Sequence, residues 1–416
     1  RVWVTDLDAG RTLGSVALQA GDEPGRVVED ASGRVHVALR RGGAVVSIDV
    51  AGLRVTDRRA VCAAPRGIAF ERATGLLHVA CAGGELVSLP AAGGAITQSR
   101  TLVPDLRDVV VAGNRLLVSS FRSAEVIAVD AGGPQLMPLP TVAPVPLFPS
   151  RVPGDTGLNG PTVARARNVA WRMIASGDQV FVLHQIAHDR TLGTEPARGG
   201  VSGGYGVPAT RGTEEPPPAV IEPGITIGSI ASEGGIAFSQ TAPVRRTSLS
   251  VDIAVSTRSN RVAVVSPGNQ LSLFPQVVTG AWHRPTTAQD TGIADGRILV
   301  RSAVASQVDT TRVNTPNTLG GQAVAVAFDG RDRVVVQTRA PSRIVVIDGP
   351  VMSIGDEVRR DTGQEVFHAM TDSFLACASC HPEGGDDGRV WAFDRIGRRR
   401  TPPVRGGIMD TAPFHW

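Results

Sequence analysis

Short stretches of alternating apolar and polar residues recur along residues 1–350 of the chain. The three clearest copies begin at Gly25, Pro65 and Leu106, about 41 residues apart. Each copy predicts a strand, a tight turn, a second strand, a short turn and a third strand, because Val, Ile, Ala and Leu alternate with polar residues. Several short strands per unit at this period are typical of a β-propeller.

Three later segments repeat the pattern at wider intervals: ARNVAWRMIASGDQVFVLHQ, LSVDIAVSTRSNRVAVVSPGNQLSLFP and QAVAVAFDGRDRVVVQTRAPSRIVVID. The chain opens with RVWVTDLDAGRTLGSVAL, which has the pattern of half a unit. A β-sandwich is the alternative, but the regular units argue against it. We therefore predict a mainly β chain with a seven-bladed propeller over residues 1–350, its first blade incomplete.

Residues 188–246 depart from the repeat and are rich in Gly and Pro. We predict an insertion here, which emerges on one face of the propeller and closes over the C-terminal region. His184 and His188 flank its start. Polar positions at a strand end explain these two histidines more simply than ligation of a metal.

Composition narrows the classes of function. The 416 residues include 48 Gly and 29 Pro, as in turn-rich β architectures, and the formal net charge is only +3. This small charge gives no electrostatic footprint for nucleic acid. The sequence has no apolar run of about 18 residues, so we predict no transmembrane segment in this chain.

The strongest chemical signal is Cys377-Ala378-Ser379-Cys380-His381, a C-x-x-C-H motif. Two thiols at this spacing reach the two vinyl groups of one porphyrin, and the next residue offers an imidazole to the iron. We therefore predict haem c, covalently bound by Cys377 and Cys380, with His381 as the iron ligand. A redox dithiol or half of a zinc site is the alternative, and the local candidates for further zinc ligands are His368 and His415.

Residues 351–416 are predicted to form a small α-helical domain of the cytochrome c type, truncated at its C-terminal end. Trp391 and Phe393 are candidates to cover a porphyrin face. Several arginines follow, and because arginine binds carboxylates in a bidentate fork, Arg398 and Arg405 are the candidate anchors for the haem propionates.

Two resemblances extend this interpretation. The repeats resemble the YVTN-type propellers of exported bacterial proteins, which implies a fold and no catalytic residues. The segments ACASCHPEGGDDGRVW, GRRRTPPVRGG and TAPFHW resemble the first haem domain of the bacterial dihaem cytochrome c peroxidases and the related dihaem oxygenases that act on methylamine dehydrogenase.

The second resemblance implies that His381 is the proximal iron ligand and that Trp416 is an electron relay between two haems. It also implies a second C-x-x-C-H domain and a histidine in the loop after the first motif. This chain has one motif, and residues 382–410 contain no histidine. We therefore expect the second haem domain, or a redox partner protein, to lie outside this chain.

The sixth position of the iron has two candidate ligands, Met409 and His415, and it could also be open. Methionine would raise the reduction potential, histidine would lower it, and an open position would permit peroxide chemistry. Spacing does not choose among these arrangements, and core packing is the alternative role of Met409.

Haem attachment of this kind takes place after export, so we expect a periplasmic or extracellular bacterial protein. No signal peptide is visible at Arg1, and we expect the chain to be processed or trimmed there. In an oxidising compartment, Cys62 and Cys81 could form a disulfide across one blade, with two buried free thiols as the alternative.

We thus predict an exported c-type haem protein that transfers electrons. The resemblance adds an oxidoreductase activity, the reduction of hydrogen peroxide, as in cytochrome c peroxidases, and leaves open whether the chain is an enzyme. The alternative is a propeller that binds or docks a partner and carries an accessory one-haem electron carrier without catalysis.

Overall fold

A computed structural model describes residues 1–146, 162–192, 220–231, 235–244, 248–259, 261–267, 276–281, 321–355, 361–369 and 375–405. These residues are mainly β-strands, arranged as a propeller of successive antiparallel sheets. In each sheet, strands that follow one another in the chain are also hydrogen-bonded neighbours.

Five sheets have four strands each. The first three are β3 (Pro24–Glu29), β4 (Val35–Leu39), β5 (Ala44–Asp49) and β6 (Arg54–Ala60); β7 (Pro65–Glu71), β8 (Leu76–Cys81), β9 (Glu85–Pro90) and β10 (Gln98–Thr101); and β11 (Leu106–Ala112), β12 (Arg115–Ser120), β13 (Val126–Asp130) and β14 (Gly133–Leu136). The fourth contains β17 (Arg165–Ser176), β18 (Gln179–His188), β19 (Ile221–Ile230) and β20 (Ile236–Pro243), and the fifth contains β24 (Gln322–Phe328), β25 (Val334–Arg339), β26 (Arg343–Val346) and β27 (Val351–Ser353).

The other sheets are smaller. They are β1 (Val2–Asp6) with β2 (Arg11–Val16); β15 (Val145–Pro146) with β16 (Thr162–Val163); β21 (Asp252–Ser256), β22 (Arg261–Ser266) and β23 (Gln276–Ala281); and β28 (Val390–Phe393) with β29 (Gly397–Arg400).

The propeller prediction is confirmed, but the prediction of seven blades is wrong. The described residues form five complete four-stranded blades. The half unit at the start of the chain pairs only with itself, as the two-stranded sheet β1–β2. The repeat that contains Asp252 supplies three described strands. Within the described residues, neither unit has the four strands of a complete blade, although the repeat count includes both.

The prediction of a small α-helical cytochrome domain is also wrong. The helices of the described C-terminal residues are α1 (Thr362–His368) and α2 (Cys377–Cys380), followed by a 3-10 turn over Pro382–Gly384 and the β28–β29 hairpin. Gly384 and Gly388 have φ values of 75° and 74°, a left-handed conformation that ends a helix. Glycine therefore directs this region into turns. Within the described residues, no helix combines the length and apolar character needed to cross a bilayer.

The core lies between successive sheets, because alternate side chains of one strand point to opposite neighbours. On β4, Val37 and Leu39 pack in one apolar cluster, whereas Ala38 packs in the next. On β8, Leu77 and Val79 face the first blade, whereas Ala80 faces the third. The innermost strands β3, β7, β11, β17, β21 and β24 are successive neighbours around the axis.

The first residues of the chain bridge the first and fifth blades. Val16 packs in the cluster formed by β4 and β5. Thr12 donates a hydrogen bond to the Ser353 carbonyl at 2.8 Å, and Arg333 pairs with Asp8 at 2.8 Å. The short β1–β2 sheet therefore connects the two ends of the series of blades.

Two buried aspartates accept hydrogen bonds that link the innermost strands of neighbouring blades. Asp108 on β11 accepts a hydrogen bond from the Met173 amide of β17 at 2.9 Å, and Asp252 on β21 accepts one from the Val326 amide of β24 at 3.0 Å. Each carboxylate satisfies a backbone donor of the following blade, which would otherwise be buried without a partner.

The disulfide is confirmed. Cys62, just before β7, and Cys81, at the end of β8, are bonded across a separation of 19 residues. The bond links the loop that precedes β7 to the end of β8 in the second blade.

We predict that removing this disulfide lowers the free energy of unfolding by about 3 kcal/mol, because the unfolded chain regains the entropy of an open loop. Denaturant unfolding of the wild type, oxidised and reduced, measures the loss. The Cys62→Ala/Cys81→Ala double variant is the control, since reduction should leave its midpoint unchanged. Equal stability of all three forms would show that the bond contributes nothing.

Candidate functional site

The C-x-x-C-H motif forms a single helical turn that lies on the propeller. Ala376 and Ala378 are buried in the apolar cluster of Phe121, Val169 and Trp171. The Ser379 hydroxyl donates a hydrogen bond to the Ser248 carbonyl at 3.2 Å. Small residues at these positions allow the turn to approach the blades closely. The side of the turn that bears Cys377 is exposed.

Both motif cysteines are free thiols. Cys377 is exposed, whereas Cys380 is half-buried. Burial, helped by the charges of Asp387 and Cys377, raises the pKa of Cys380 to about 12, so its sulfur carries a proton at neutral pH. The helical spacing places both sulfurs on the same side of one turn.

His381 follows the last residue of the turn. Its backbone amide donates to the Cys377 carbonyl at 3.0 Å. Its Nδ1 is buried and has no hydrogen-bond partner among the described residues. A buried ring nitrogen without a partner is unfavourable, so this nitrogen is a candidate to bind a group other than the described residues.

Aromatic residues of the C-terminal hairpin close one side of the turn. Trp391 is buried in a cluster with Ile221, and Cys380 and Phe393 pack against this cluster. The Trp391 indole donates to Asp387 at 3.0 Å. Leu192 and Phe393 form an isolated parallel β-bridge. The two described ends of the predicted insertion therefore hold the hairpin, although residues 193–219 lie outside the described residues.

Three arginines of the propeller converge on Glu383, two residues after His381. Arg40 Nη2 lies 2.8 Å and Arg66 Nη1 3.0 Å from Glu383 Oε2, and Arg107 Nη1 lies 2.8 Å from Oε1. We call Arg40, Arg66 and Arg107 the arginine cradle. Burial by itself would raise the pKa of Glu383, but these three guanidinium groups outweigh it and lower the pKa to about 2.

The repeat explains how the cradle arises. Arg66 and Arg107 are the second residues of β7 and β11, the innermost strands of adjacent blades. The second residue of β3 is Gly25, and a Cβ there would lie only 3.0 Å from Cγ of Arg40. The missing side chain leaves room for Arg40, which supplies the third guanidinium from the end of β4.

A second charged layer lies beside the cradle. Arg26 of β3 pairs with Asp252 at 3.2 Å, and Arg172 of β17 pairs with Asp108 at 3.2 Å. The backbone carbonyl of Trp171 accepts from both Arg26 and Arg107, at 3.3 and 3.4 Å. The Arg26 and Arg172 charges are thus matched by aspartates of the propeller itself.

The other predicted site residues have different outcomes. Arg405 lies near the motif, but its Nε donates to the Glu383 carbonyl at 3.0 Å, and Arg398 lies exposed on β29. Their assignment to haem propionates stays a prediction. Met409, His415 and Trp416 lie outside the described residues. His368 Nδ1 bonds the Gln364 carbonyl of its own helix at 2.9 Å.

Among the described residues, no group of three or more His, Cys, Asp or Glu side chains is placed to hold a metal ion. The sequence interpretation missed the arginine cradle entirely. The available signal was an arginine at the second position of two equivalent strands, Arg66 and Arg107.

The sequence matches no protein-family model and no curated protein. Similar solved structures include hydrazine synthase from Kuenenia stuttgartiensis, at 12% identity with 83% of this chain and 99% of that chain covered and a TM-score of 0.42. A streptogramin B lyase has 12% identity, coverages of 81% and 86%, and a TM-score of 0.45. Virginiamycin B lyase from Staphylococcus aureus has 10% identity, coverages of 83% and 89%, and a TM-score of 0.44. Likenesses this distant carry no argument about activity.

His184, at the edge of the predicted insertion, has a structural role. Its Nδ1 donates to the Gln185 carbonyl and its Nε2 accepts from the Thr226 hydroxyl, both at 2.8 Å. Burial lowers the pKa of His184 from 6.5 to about 3. Both ring nitrogens are used within the fourth blade.

We predict that this histidine makes the protein less stable as the pH falls below about 6.5. His184 binds a proton below this pH in the unfolded chain, whereas in the folded chain it stays neutral down to about pH 3. The free energy of unfolding of His184→Gln should therefore depend less steeply on pH. Measurements at pH 8, where no proton is involved, give the contribution of lost contacts alone. Parallel curves for both proteins from pH 8 to pH 4 would contradict the prediction.

We also predict that Glu383→Gln lowers the free energy of unfolding by about 3 kcal/mol, because it leaves three half-buried guanidinium groups without a carboxylate. Glu29→Gln, at an exposed glutamate of β3, is the matched control and should change it by less than about 0.5 kcal/mol. Denaturant unfolding measures both. If both substitutions changed the free energy of unfolding by similarly small amounts, the cradle would not stabilise the docked segment.

Proposed function

We propose that the protein is an exported c-type haem protein that transfers electrons, with the haem attached to Cys377 and Cys380 and its iron bound by His381. The observation that carries the proposal is the geometry of α2 and the residue after it. Two free thiols share one side of a helical turn, and Nδ1 of the imidazole that follows has no hydrogen-bond partner among the described residues. The attachment site is a turn on the propeller and not a helical cytochrome fold.

The residues present fit covalent attachment. Cys377 and Cys380 would each hold the haem through a thioether, in which the thiol adds across a vinyl group, with the sulfur bonded to one carbon and the thiol proton transferred to the other. This addition requires free thiols, and neither of these cysteines forms a disulfide in the structure. The exposed side of the turn offers Cys377 to a bulky planar group, and the half-buried Cys380 lies behind it.

Bound haem would supply one-electron transfer between ferric and ferrous iron. The protein's part is to hold and shield the site. His381 would hold the iron through its ring, and Trp391 and Phe393 cover the side of Cys380. Glu383 fixes the following residues to the arginine cradle, and Arg405 supports that turn through the Glu383 carbonyl. The sixth ligand, Met409 or His415, remains a proposal from sequence.

Location outside the cytoplasm is part of the same proposal. The Cys62–Cys81 disulfide supports it, because such bonds persist in oxidising compartments. A redox partner protein or a second haem domain would then take or deliver the electron.

The second candidate is reduction of hydrogen peroxide, favoured by the C-x-x-C-H, R-x-T-P-x-x-R-G and F-x-W segments that resemble the dihaem peroxidases. The third candidate is a docking propeller whose haem is accessory. These candidates share the attachment site and differ in what the iron does.

We predict that the chain, exported in a host with haem-attachment machinery, retains one haem after denaturation and gives a c-type pyridine haemochrome spectrum. Cys377→Ala/Cys380→Ala should lose the covalent haem, and His381→Ala should lose the native spectrum. Cys62→Ala/Cys81→Ala, which removes the same number of cysteines, is the control and should keep the haem. A wild type without covalent haem, or a Cys377→Ala/Cys380→Ala protein that retains it, would refute the site.

Spectra of the same preparation separate the candidates. Reaction with added peroxide and a high-spin component would favour peroxide reduction. A low-spin haem that is reduced and reoxidised but does not react with peroxide would favour electron transfer alone.

A further inference from the structure

The arginine cradle is formed by the propeller alone. Arg40, Arg66 and Arg107 come from the first, second and third blades, and the inner ends of those blades fix their positions. Their side chains are mostly buried, with relative exposures of 28%, 18% and 12%. The carboxylate that they hold belongs to the C-terminal segment, which is more than 270 residues away along the chain.

Charge at this end of the propeller favours an anion. Arg26 and Arg172 are matched by Asp108 and Asp252, one carboxylate for each guanidinium. Among the described residues, the three cradle arginines share one ion-pair partner, Glu383. Without Glu383, three like charges would lie together in a partly desolvated place, which is strongly unfavourable.

The occupant is held in a constrained backbone. Glu383 has a φ of 53°, in the left-handed region that residues with a Cβ rarely adopt, and Gly384 follows with a φ of 75°. Such a conformation persists only where its surroundings compensate for it. Here the compensation comes from the three guanidinium groups around the carboxylate.

We propose that the arginine cradle is a carboxylate-binding site of the propeller in its own right, and that Glu383 is its tethered occupant. The ligand class is a small free carboxylate, recognised by the Nη atoms of the cradle in the way that they hold Glu383. Occupation by a free carboxylate requires the turn at Glu383 to leave the cradle. This site is independent of the haem proposal, because none of its residues belongs to the C-x-x-C-H motif.

The test uses Glu383→Ala in the 416-residue chain, whether or not it carries haem. Melting temperatures are compared in acetate, phosphate and chloride at equal ionic strength and pH. We expect acetate to raise the melting temperature of this variant by about 2 °C or more, with saturation, because a ligand that binds only the folded state stabilises it. Wild type and Glu383→Gln should not respond, since a side chain already fills their cradle.

Asp22→Ala is the matched control. Asp22 is a buried carboxylate on the first blade that pairs with one arginine, Arg58, at 2.8 Å. Removal of the Asp22 carboxylate also leaves an arginine without its partner, but it does not create a site lined by three arginines. Acetate should therefore stabilise this variant no more than chloride does.

Three results would overturn the proposal. They are equal melting of Glu383→Ala in acetate and chloride, stabilisation by phosphate but not by acetate, and an equal acetate effect on Asp22→Ala. If Glu383→Ala does not fold in chloride, its refolding yield in acetate against chloride makes the same comparison. A higher yield in acetate supports the site, and equal yields refute it.

Discussion

The meeting of three guanidinium groups with one carboxylate determines where the C-terminal segment lies. The strand ends of three blades place Arg40, Arg66 and Arg107 close together, and like charges so placed repel one another. Glu383 removes that repulsion. Because Glu383 follows His381 by two residues, the electrostatic requirement of the propeller also places the C-x-x-C-H turn over the inner ends of the blades. The candidate haem site is therefore positioned by charges that have no part in its chemistry.

Ion pairs and apolar packing contribute differently to this docking. The left-handed Glu383 costs about 1–2 kcal/mol of backbone energy. Hydrogen bonds to charged groups contribute about 1.5–3 kcal/mol each, so three of them outweigh that cost. The cost of desolvating the charged groups offsets much of the stabilisation from the ion pairs. Burial of Ala376, Ala378 and Trp391 is therefore the main contribution that holds the C-terminal segment on the propeller. The cradle then favours one register of the segment, because Glu383 is the carboxylate that meets all three arginines.

Local patterns in the sequence predicted local features well. Alternation around Pro65 and Leu106 predicted the three inner strands of those blades, and the positions of Cys62 and Cys81 on either side of one hairpin predicted the disulfide. The outermost strands β6 and β10 escaped prediction because they are exposed and polar, so burial imposes no alternation on them. The count of seven blades failed for a related reason. A repeat in sequence marks a unit, but only strand pairing shows whether the unit is a four-stranded blade.

Features that depend on distant parts of the chain could not be predicted. Arg66 and Glu383 have no relation in sequence, and only the winding of the blades around one axis brings them together. The contact between Arg405 and the backbone carbonyl of Glu383 likewise joins residues 22 positions apart, and the sequence pattern does not predict it. Turns replace the helical domain expected around the motif, because Gly384 and Gly388 adopt left-handed conformations that a helix excludes.

The docked turn also constrains how a redox partner could approach. On one side, the alanines face Phe121 and Trp171, and the half-buried Cys380 lies at the edge of the turn beside the apolar cluster of Ile221 and Trp391. On the other side, Cys377 is exposed. Under the proposed function, a partner has to approach the side of Cys377, because the propeller covers the opposite side. The propeller face that holds the cradle is then the base of the redox site and is not itself free to dock the partner. A partner could therefore dock on this propeller face only if the C-terminal segment, and the redox site with it, left the face.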